Sequence, residues 1–302
     1  MNPVIAVIGG GPAGIAAAVQ LKRFDLNPCL FEKERLGGLL WNAQWVENYP
    51  GFYRGISGPQ LAKRLKYHLE AYNAQVIYEN IKQLDYDSAH ERFSLSTTEN
   101  SYSASIIVVA SGTAANPGDL PGLMPAELKK NVYFEIVPLL KKKRKKILII
   151  GAGDIAFDYA LNLSRNNEIT LLYRSNEIKA LPLLVRRVQA NPGINLIGPA
   201  VPQKIARGKS KKLAVTFAPP TVADDSAPVT LEFDYIVGAM GRVPQTDFFS
   251  NELKARQEAL VSGGRFYFAG DVQNGNLRQA AIAAGNGIEV AMKIYRRIKE
   301  GL

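Results

Sequence analysis

Residues 4–34 read "VIAVIGGGPAGIAAAVQLKRFDLNPCLFEKE". Five apolar residues, Val4 to Ile8, run into a glycine-rich turn, which predicts a buried strand ending in a tight bend. The alanine-rich stretch that follows predicts a helix, and "PCLFE" a second strand closed by an acid. Together these make a βαβ unit. Gly9, Gly11 and Gly14 fit the spacing G-x-G-x-x-G. The first glycine permits the turn, the second lets backbone amides approach a pyrophosphate, and the third allows the helix to pack closely. Pro12 and Ala13 open the helix, whose free N–H groups and dipole favour an anion. Glu32 stands 23 residues after Gly9, where a carboxylate accepts hydrogen bonds from the hydroxyls of an unphosphorylated ribose. The other reading of the turn is packing alone.

The plan recurs at residues 146–174, "KILIIGAGDIAFDYALNLSRNNEITLLYR", with Gly151, Gly153 and Ala156 in the variant G-x-G-x-x-A and Asp154 and Ile155 between them. Here the residue 23 positions after the first glycine is Arg174. A carboxylate at that place repels a 2′-phosphate, whereas a guanidinium pairs with it bidentately. The second unit is therefore expected to take NADP, with Lys179 adding charge. Alternatively Arg174 is a solvated strand-end residue in a domain that has lost its nucleotide.

The chain has 302 residues, enough for two domains with their own cores. No apolar run reaches the roughly 20 residues of a membrane span, and "MNPVIAVIGGG" carries no basic-then-apolar leader. A cytoplasmic location and no membrane partner are the expectations. Cys29 is the only cysteine, so neither an internal disulfide nor a Cys-x-x-Cys pair is possible, and His68 and His90 lack ligand-like spacing. No metal site is expected, and redox chemistry must belong to an organic cofactor. Net charge is +10, of which residues 118–230 contribute +9, from 18 Lys or Arg against 9 Asp or Glu. That asymmetry points to an anionic partner. No stacking-aromatic or helix-turn-helix signature supports nucleic acid. The run "KKKRKK", Lys141 to Lys146, reads as a solvated turn or as a docking patch for an acidic electron carrier.

These units, together with "GRFYFAGDVQNGNLRQAAIAAGNG" at 264–287, "GGLLWNAQWVENYPGFYRGISGPQL" at 37–61, "VVASGTAANPGDLPG" at 108–122 and "AMGRVPQT" at 239–246, resemble the FAD-dependent pyridine nucleotide-disulfide oxidoreductases. The likeness is strongest to the low-molecular-weight thioredoxin reductases. It implies an α/β fold of two three-layer, Rossmann-like dinucleotide-binding domains. Residues 1–113 and 243–302 would form a discontinuous FAD domain, with an NAD(P) domain at 118–240 inserted. Gly9, Gly11, Pro12, Ala13, Gly14, Glu32 and Lys33 would hold the diphosphate and ribose of FAD. Gly38, Leu39, Asn48, Ala110, Ser111 and Gly112 would line the cofactor, with Asn48 near the isoalloxazine. Gly270 and Asp271 would reach its ribityl or diphosphate part. Arg278, Gln279 and Ala280 would begin a helix whose positive end faces the flavin pyrimidine. Gly151, Gly153, Asp154, Ile155, Ala156, Arg174, Lys179 and Gly241 would hold NADP. Relatives commonly form homodimers, so a homodimer is implied.

By the same resemblance the family's redox cysteines fall at Phe134 and Val137, within "NVYFEIVPLL" at 131–140. No side chain there carries electrons. Leu39, Trp41 and Trp45 also replace polar or small residues. The resemblance thus implies NAD(P)H oxidation by a flavoprotein whose reduced FAD serves an external acceptor directly. Ferredoxin or flavodoxin is one acceptor class, although relatives that reduce them usually extend beyond the last helix. A quinone, oxidised metabolite or oxygen is a second. A flavin-binding protein with a vestigial NADP domain is the third reading.

Overall fold

Strand Ile5–Ile8 is buried along its whole length, because a parallel sheet covered on both faces leaves no solvent side for its residues. It is central to the first of two units of the computed structural model, which describes residues 4–209, 211–218 and 228–301. The first unit holds the described residues up to Trp41, Trp45–Ala114, and those from Pro244 onward; the second holds Asn42–Gln44 and Ala115–Val243. The described helices are α1 (Pro12–Arg23), α2 (Gly58–Ala71), α3 (Asp154–Leu163), α4 (Pro182–Gln189), α5 (Asn251–Ser262) and α6 (Ala280–Lys299).

In the first unit five parallel strands lie in the order Phe266–Phe268, Ile106–Val109, Ile5–Ile8, Cys29–Phe31, Gln75–Ile77. Helices α1 and α6 pack so closely that a Cβ on Gly287 would stand 2.1 Å from the carbonyl oxygen of Ala13. Phe24 stacks on Tyr295 at 4.1 Å beyond that contact. The opposite core joins the sheet to an antiparallel layer, Gln83–Asp87, Arg92–Ser96 and Ser101–Ala104, around Leu84, Phe93, Ile107, Phe249 and Phe266. Aromatic rings fill this core efficiently because offset and edge contacts suit their quadrupoles; Phe266 meets Phe93 at 5.7 Å and Phe249 at 5.6 Å.

The second unit repeats the plan, with parallel strands in the order Ile194–Ile197, Glu168–Leu172, Lys146–Ile150, Tyr235–Gly238, Val132–Tyr133. Alternation along a strand sends successive side chains to opposite faces. Ile147 and Ile149 accordingly join Phe157, Leu163 and Val188 of α3 and α4, while Leu148 and Ile150 join Ile205, Val215 and Phe217 of an antiparallel layer. That layer is Val201–Arg207, Leu213–Ala218 and Val229–Phe233. Both units are therefore three-layer α/β, the class that the two βαβ patterns imply.

The connections pass between Ala114 and Ala115 and between Val243 and Pro244. Within the first unit the Gln245 amide donates to Gly112, and within the second the Asn116 amide donates to Gly241. Membership of Asn42–Gln44 in the second unit has no signal in the sequence. Its cause is a side chain, Asn42, whose oxygen accepts from the amides of Ile136 (2.9 Å) and Val137 (3.2 Å).

Candidate dinucleotide sites

The first glycine turn has little freedom. Gly9 has φ +108°, and a Cβ there would stand 2.3 Å from the Ala110 carbonyl oxygen. A Cβ on Gly14 would stand 1.9 Å from the carbonyl oxygen of Gly9. Gly11, by contrast, faces open space. It caps α1 without a side-chain hydrogen bond, Pro12 is the first helical residue, and the first turn holds no acid. Those amides are thus presented to an outside anion. Glu32 is buried, its Oε2 accepting from the Gly10 amide at 2.8 Å and its Oε1 from the Glu34 amide at 3.0 Å. An ionised carboxylate has about four acceptor sites, so two remain for ribose hydroxyls. Lys33 beside it is exposed.

Other expected residues gather at the same turn. The Gly37 amide donates to Gly10, which sets Gly38 within 3.3 Å of the Gly11 Cα as measured from a built Cβ, with Leu39 half-buried next to it. Gly270 packs on Ala13, and Asp271 follows it in a single helical turn, Gly270–Val272. The Ser111 hydroxyl donates to the Gln245 carbonyl at 2.6 Å, one residue before Gly112 at φ +68°. Asn48 donates to the side-chain oxygen of Gln279 at 2.8 Å. Gln279 is the N-cap of α6, so that helix starts at Ala280, with Arg278 in the preceding loop rather than in the helix. Like α1, α6 begins without a side-chain cap or an acid in its first turn.

A cleft of about 250 Å³ runs from Gly9, Glu32, Lys33 and Ser111 to Glu79, Asn80, Gln245 and Asp247. Sequence reading missed the last four. Glu79 lies two residues past an edge strand, where no motif marks it; it accepts from Thr97, Asn100 and Tyr102, and the Thr97 bond first of all holds its carboxyl below the usual range. Cradle, uncapped helix starts and a free-sided carboxylate fit a dinucleotide such as FAD.

At the second turn a Cβ on Gly151 would stand 2.2 Å from the Ala239 carbonyl oxygen, and Gly153 faces open space as the N-cap of α3. The third position is Ala156, fully buried. Asp154 Oδ1 accepts from the Leu181 amide at 2.7 Å, and the Lys179 amide donates to Ala152 at 3.0 Å. These two bonds fasten the segment after Arg174 beside the turn. Arg174 and Lys179 are exposed, as is Ile155, and Gly241 has φ +110° with open space around it. The donors and cations fit NADP.

The turn at 134–137 is apolar on one side and ionic on the other. The Phe134 ring covers Gly238 and Ile136 is fully buried. Between them Glu135 accepts from Arg242 at 2.8 Å, from the Tyr159 hydroxyl at 3.1 Å and from the Asn42 amide. The Arg242 side chain is only 5% exposed whereas that of Glu135 is 35% exposed, so the guanidinium depends on its partner while the carboxylate keeps some contact with solvent. Burial, with Glu135 alongside, pushes the Tyr159 phenol well up. Burial pushes the neighbouring Asp158 carboxyl up to about 6, against the opposing bond from the Gln44 amide. No sequence motif announces this network. Cys29 is elsewhere, on the first-unit sheet, with its thiol donating to Gln75 at 3.1 Å. Among the described residues no cluster of His, Cys, Asp and Glu forms a metal site, and no helix is long and apolar enough to cross a membrane.

The chain belongs to the pyridine nucleotide-disulphide oxidoreductases, whose family model matches residues 3–287. As a member it is an oxidoreductase that acts on NAD(P)H with FAD. It is 26% identical to the thioredoxin reductase of Bacillus subtilis over 307 residues, covering 98% of this chain and 95% of that one. It is 27% identical to the glucosaminate ammonia-lyase of Pseudomonas fluorescens over 305 residues, 97% and 94% of the two chains. The crystal structure of Lactococcus lactis thioredoxin reductase superposes with a TM-score of 0.86 at 26% identity, covering 99% of this chain and 100% of that one.

Proposed function

We propose that the protein moves reducing equivalents from NADPH to an external acceptor without an internal dithiol. The observation that carries this reading is the single cysteine: Cys29 is held by Gln75 on a sheet strand, and Phe134 and Val137 occupy the turn where the family places its pair. FAD, when bound, takes up two electrons as a hydride and gives them back singly or together. The α1 amides hold its diphosphate, Glu32 its ribose, and the α6 N-terminus favours negative charge at the flavin pyrimidine. Asn48 and Gln279, bonded to each other, set the approach to that helix start. Arg174 and Lys179 take the 2′-phosphate of NADPH.

The acceptor is an acidic one-electron carrier of the ferredoxin or flavodoxin class, or a small molecule such as a quinone. The protein works as a cytoplasmic homodimer, a reading supported by exposed Ile282, Ile288 and Met292 along α6. Anaerobic NADPH titration of the yellow protein tests the first half, with bleaching of the visible flavin band expected. Reoxidation by ferredoxin, flavodoxin or quinone, followed separately, assigns the acceptor. An unbleached band, or electrons lost only to a reagent that needs a protein thiol, overturns the reading.

A further inference from the structure

The basic run is not a loose tail. Arg144 takes the left-handed conformation at φ +55° and its amide donates to Asn166. Asn167, buried, accepts from the Lys145 amide at 3.1 Å and donates to the Lys142 carbonyl at 3.1 Å. The run is therefore a fixed turn, with Lys141, Lys142, Lys143, Arg144 and Lys146 exposed. Asp234 extends the patch: one oxygen accepts from the Lys146 amide and pairs with Lys212 at 3.6 Å, and its carbonyl accepts from Asn131. Exposed Lys129 and Lys130 directly precede Asn131. The carboxylates within this group are Asp234, Glu127 and Glu168, the last paired with Lys146 at 3.5 Å.

The patch lies at the N-terminal ends of the second unit's parallel strands. Gly151 follows the C-terminal end of Lys146–Ile150, about 16 Å away along five strand residues. These cations are thus too distant to serve the nucleotide phosphates at the glycine turn. No large exposed apolar side chain occurs between residues 79 and 154. A protein interface of ordinary kind has an apolar or aromatic centre; the basic run and the residues before it have none, and the exposed Leu231 on the strand leading to Asp234 stands at the margin. Between residues 79 and 154 no exposed aromatic ring offers a platform on which bases could stack, and Arg144 is the single arginine of the run, among five lysines. What the patch offers is a rigid array of lysine point charges, and a diffuse anionic surface needs nothing more.

The geometry points to peripheral docking of this end of the second unit on a membrane surface rich in anionic phospholipid. The expectation of no membrane partner rested on the absence of a spanning run and does not reach a contact of this kind. It is also independent of the acceptor's identity.

The test is sedimentation of the FAD-loaded protein with vesicles of phosphatidylcholine alone or with about one-third phosphatidylglycerol, at low salt, since each lysine near such a surface contributes on the order of 1 kcal/mol, a fivefold factor. Binding to the anionic vesicles only is expected, weakening steeply as salt shortens the Debye length from about 30 Å at 0.01 M to about 10 Å at 0.1 M. Lys141→Glu, Lys142→Glu and Lys143→Glu together should lower the partition coefficient at least about 100-fold, and the matching Lys→Arg triple should keep it. Flavin content and NADPH bleaching report the fold of both variants. Equal sedimentation with neutral vesicles, no sedimentation at low salt, an unaffected Glu triple, or tighter binding to duplex DNA at matched salt each overturns the proposal.

Discussion

Glu32 and Arg174 stand at the same remove from their glycine turns, yet the acid is buried with both oxygens on backbone amides, whereas the guanidinium is exposed. The helices differ in the same sense: α1 begins with Pro12, α3 with Asp154, whose carboxylate ties down the segment after Arg174. The first seat is closed on its protein side, with the α1 amides and the remaining Glu32 acceptor sites left for a ligand. The second is an open rim of positive charge. A closed seat suits a cofactor that stays, and an open cationic rim suits a cosubstrate that arrives by electrostatic attraction and leaves each cycle.

The third motif position gives the largest expected contrast. Gly14→Ala drives a methyl into the Gly9 carbonyl, a backbone atom that cannot swing aside, and should cost about 3 kcal/mol or more together with loss of bound FAD. Ala156→Gly removes a buried methyl from a helix and should cost only about 1–2 kcal/mol. Denaturant unfolding and flavin retained after gel filtration measure both. Equal costs would mean that the two turns are packed alike and that the closed-seat argument is wrong.

Next comes the charge reversal. Arg174→Glu should lower the NADPH-over-NADH ratio of kcat/KM at least about tenfold, since a charged hydrogen-bonded contact contributes about 1.5–3 kcal/mol. Lys179→Ala should have a smaller effect in the same direction. A wild type that uses the two nucleotides equally removes the basis for reading Arg174 as a phosphate ligand.

Much of this contrast was legible in the sequence, because backbone constraints leave residue-level marks. Only glycine fits at Gly9, Gly14 and Gly151, and the strand-to-acid or strand-to-base spacing follows from the length of one βαβ unit. The cluster of Asn42, Glu135, Tyr159 and Arg242 was not legible. Its members lie up to 200 positions apart and carry no periodicity, so only the folded chain brings their polar atoms within bonding distance. The same holds for Glu79 and Asp247 at the cleft, which sit on segments without a motif. The basic run was visible, but its placement at the strand ends away from the glycine turn depends on sheet direction.

A smaller effect separates α1 from α3 at one aligned position, Ala16 in the first and Asp158 in the second. The Asp158 carboxyl titrates at about 6 in the fold against 3.8 ordinarily, chiefly through burial. The native state therefore binds more protons than the unfolded chain between those values, and stability declines as pH rises through that window. Because the side chain keeps some exposure, the loss is on the order of 1–2 kcal/mol rather than the full shift. Asp158→Asn should raise the unfolding midpoint above pH 6 and leave it nearly unchanged near pH 4. A gain that is the same at both pH values would assign the effect to packing instead of ionisation.

The smallest expected effect is none, at Cys29. Its thiol sits on a strand of the first-unit sheet, bonded to Gln75, and burial pushes it above the ordinary cysteine value. A thiol raised in this way is mostly protonated at neutral pH, and the protonated form is a poor nucleophile toward disulfides. Serine keeps a hydroxyl donor for Gln75 at nearly the same volume. Cys29→Ser should thus leave flavin content, NADPH bleaching and acceptor reduction unchanged within error, and neither protein should turn over a chromogenic disulfide through a protein dithiol. If the wild type does reduce such a disulfide and the serine variant does not, the lone thiol is an electron relay after all, and the first unit is then not merely a seat for a fixed cofactor.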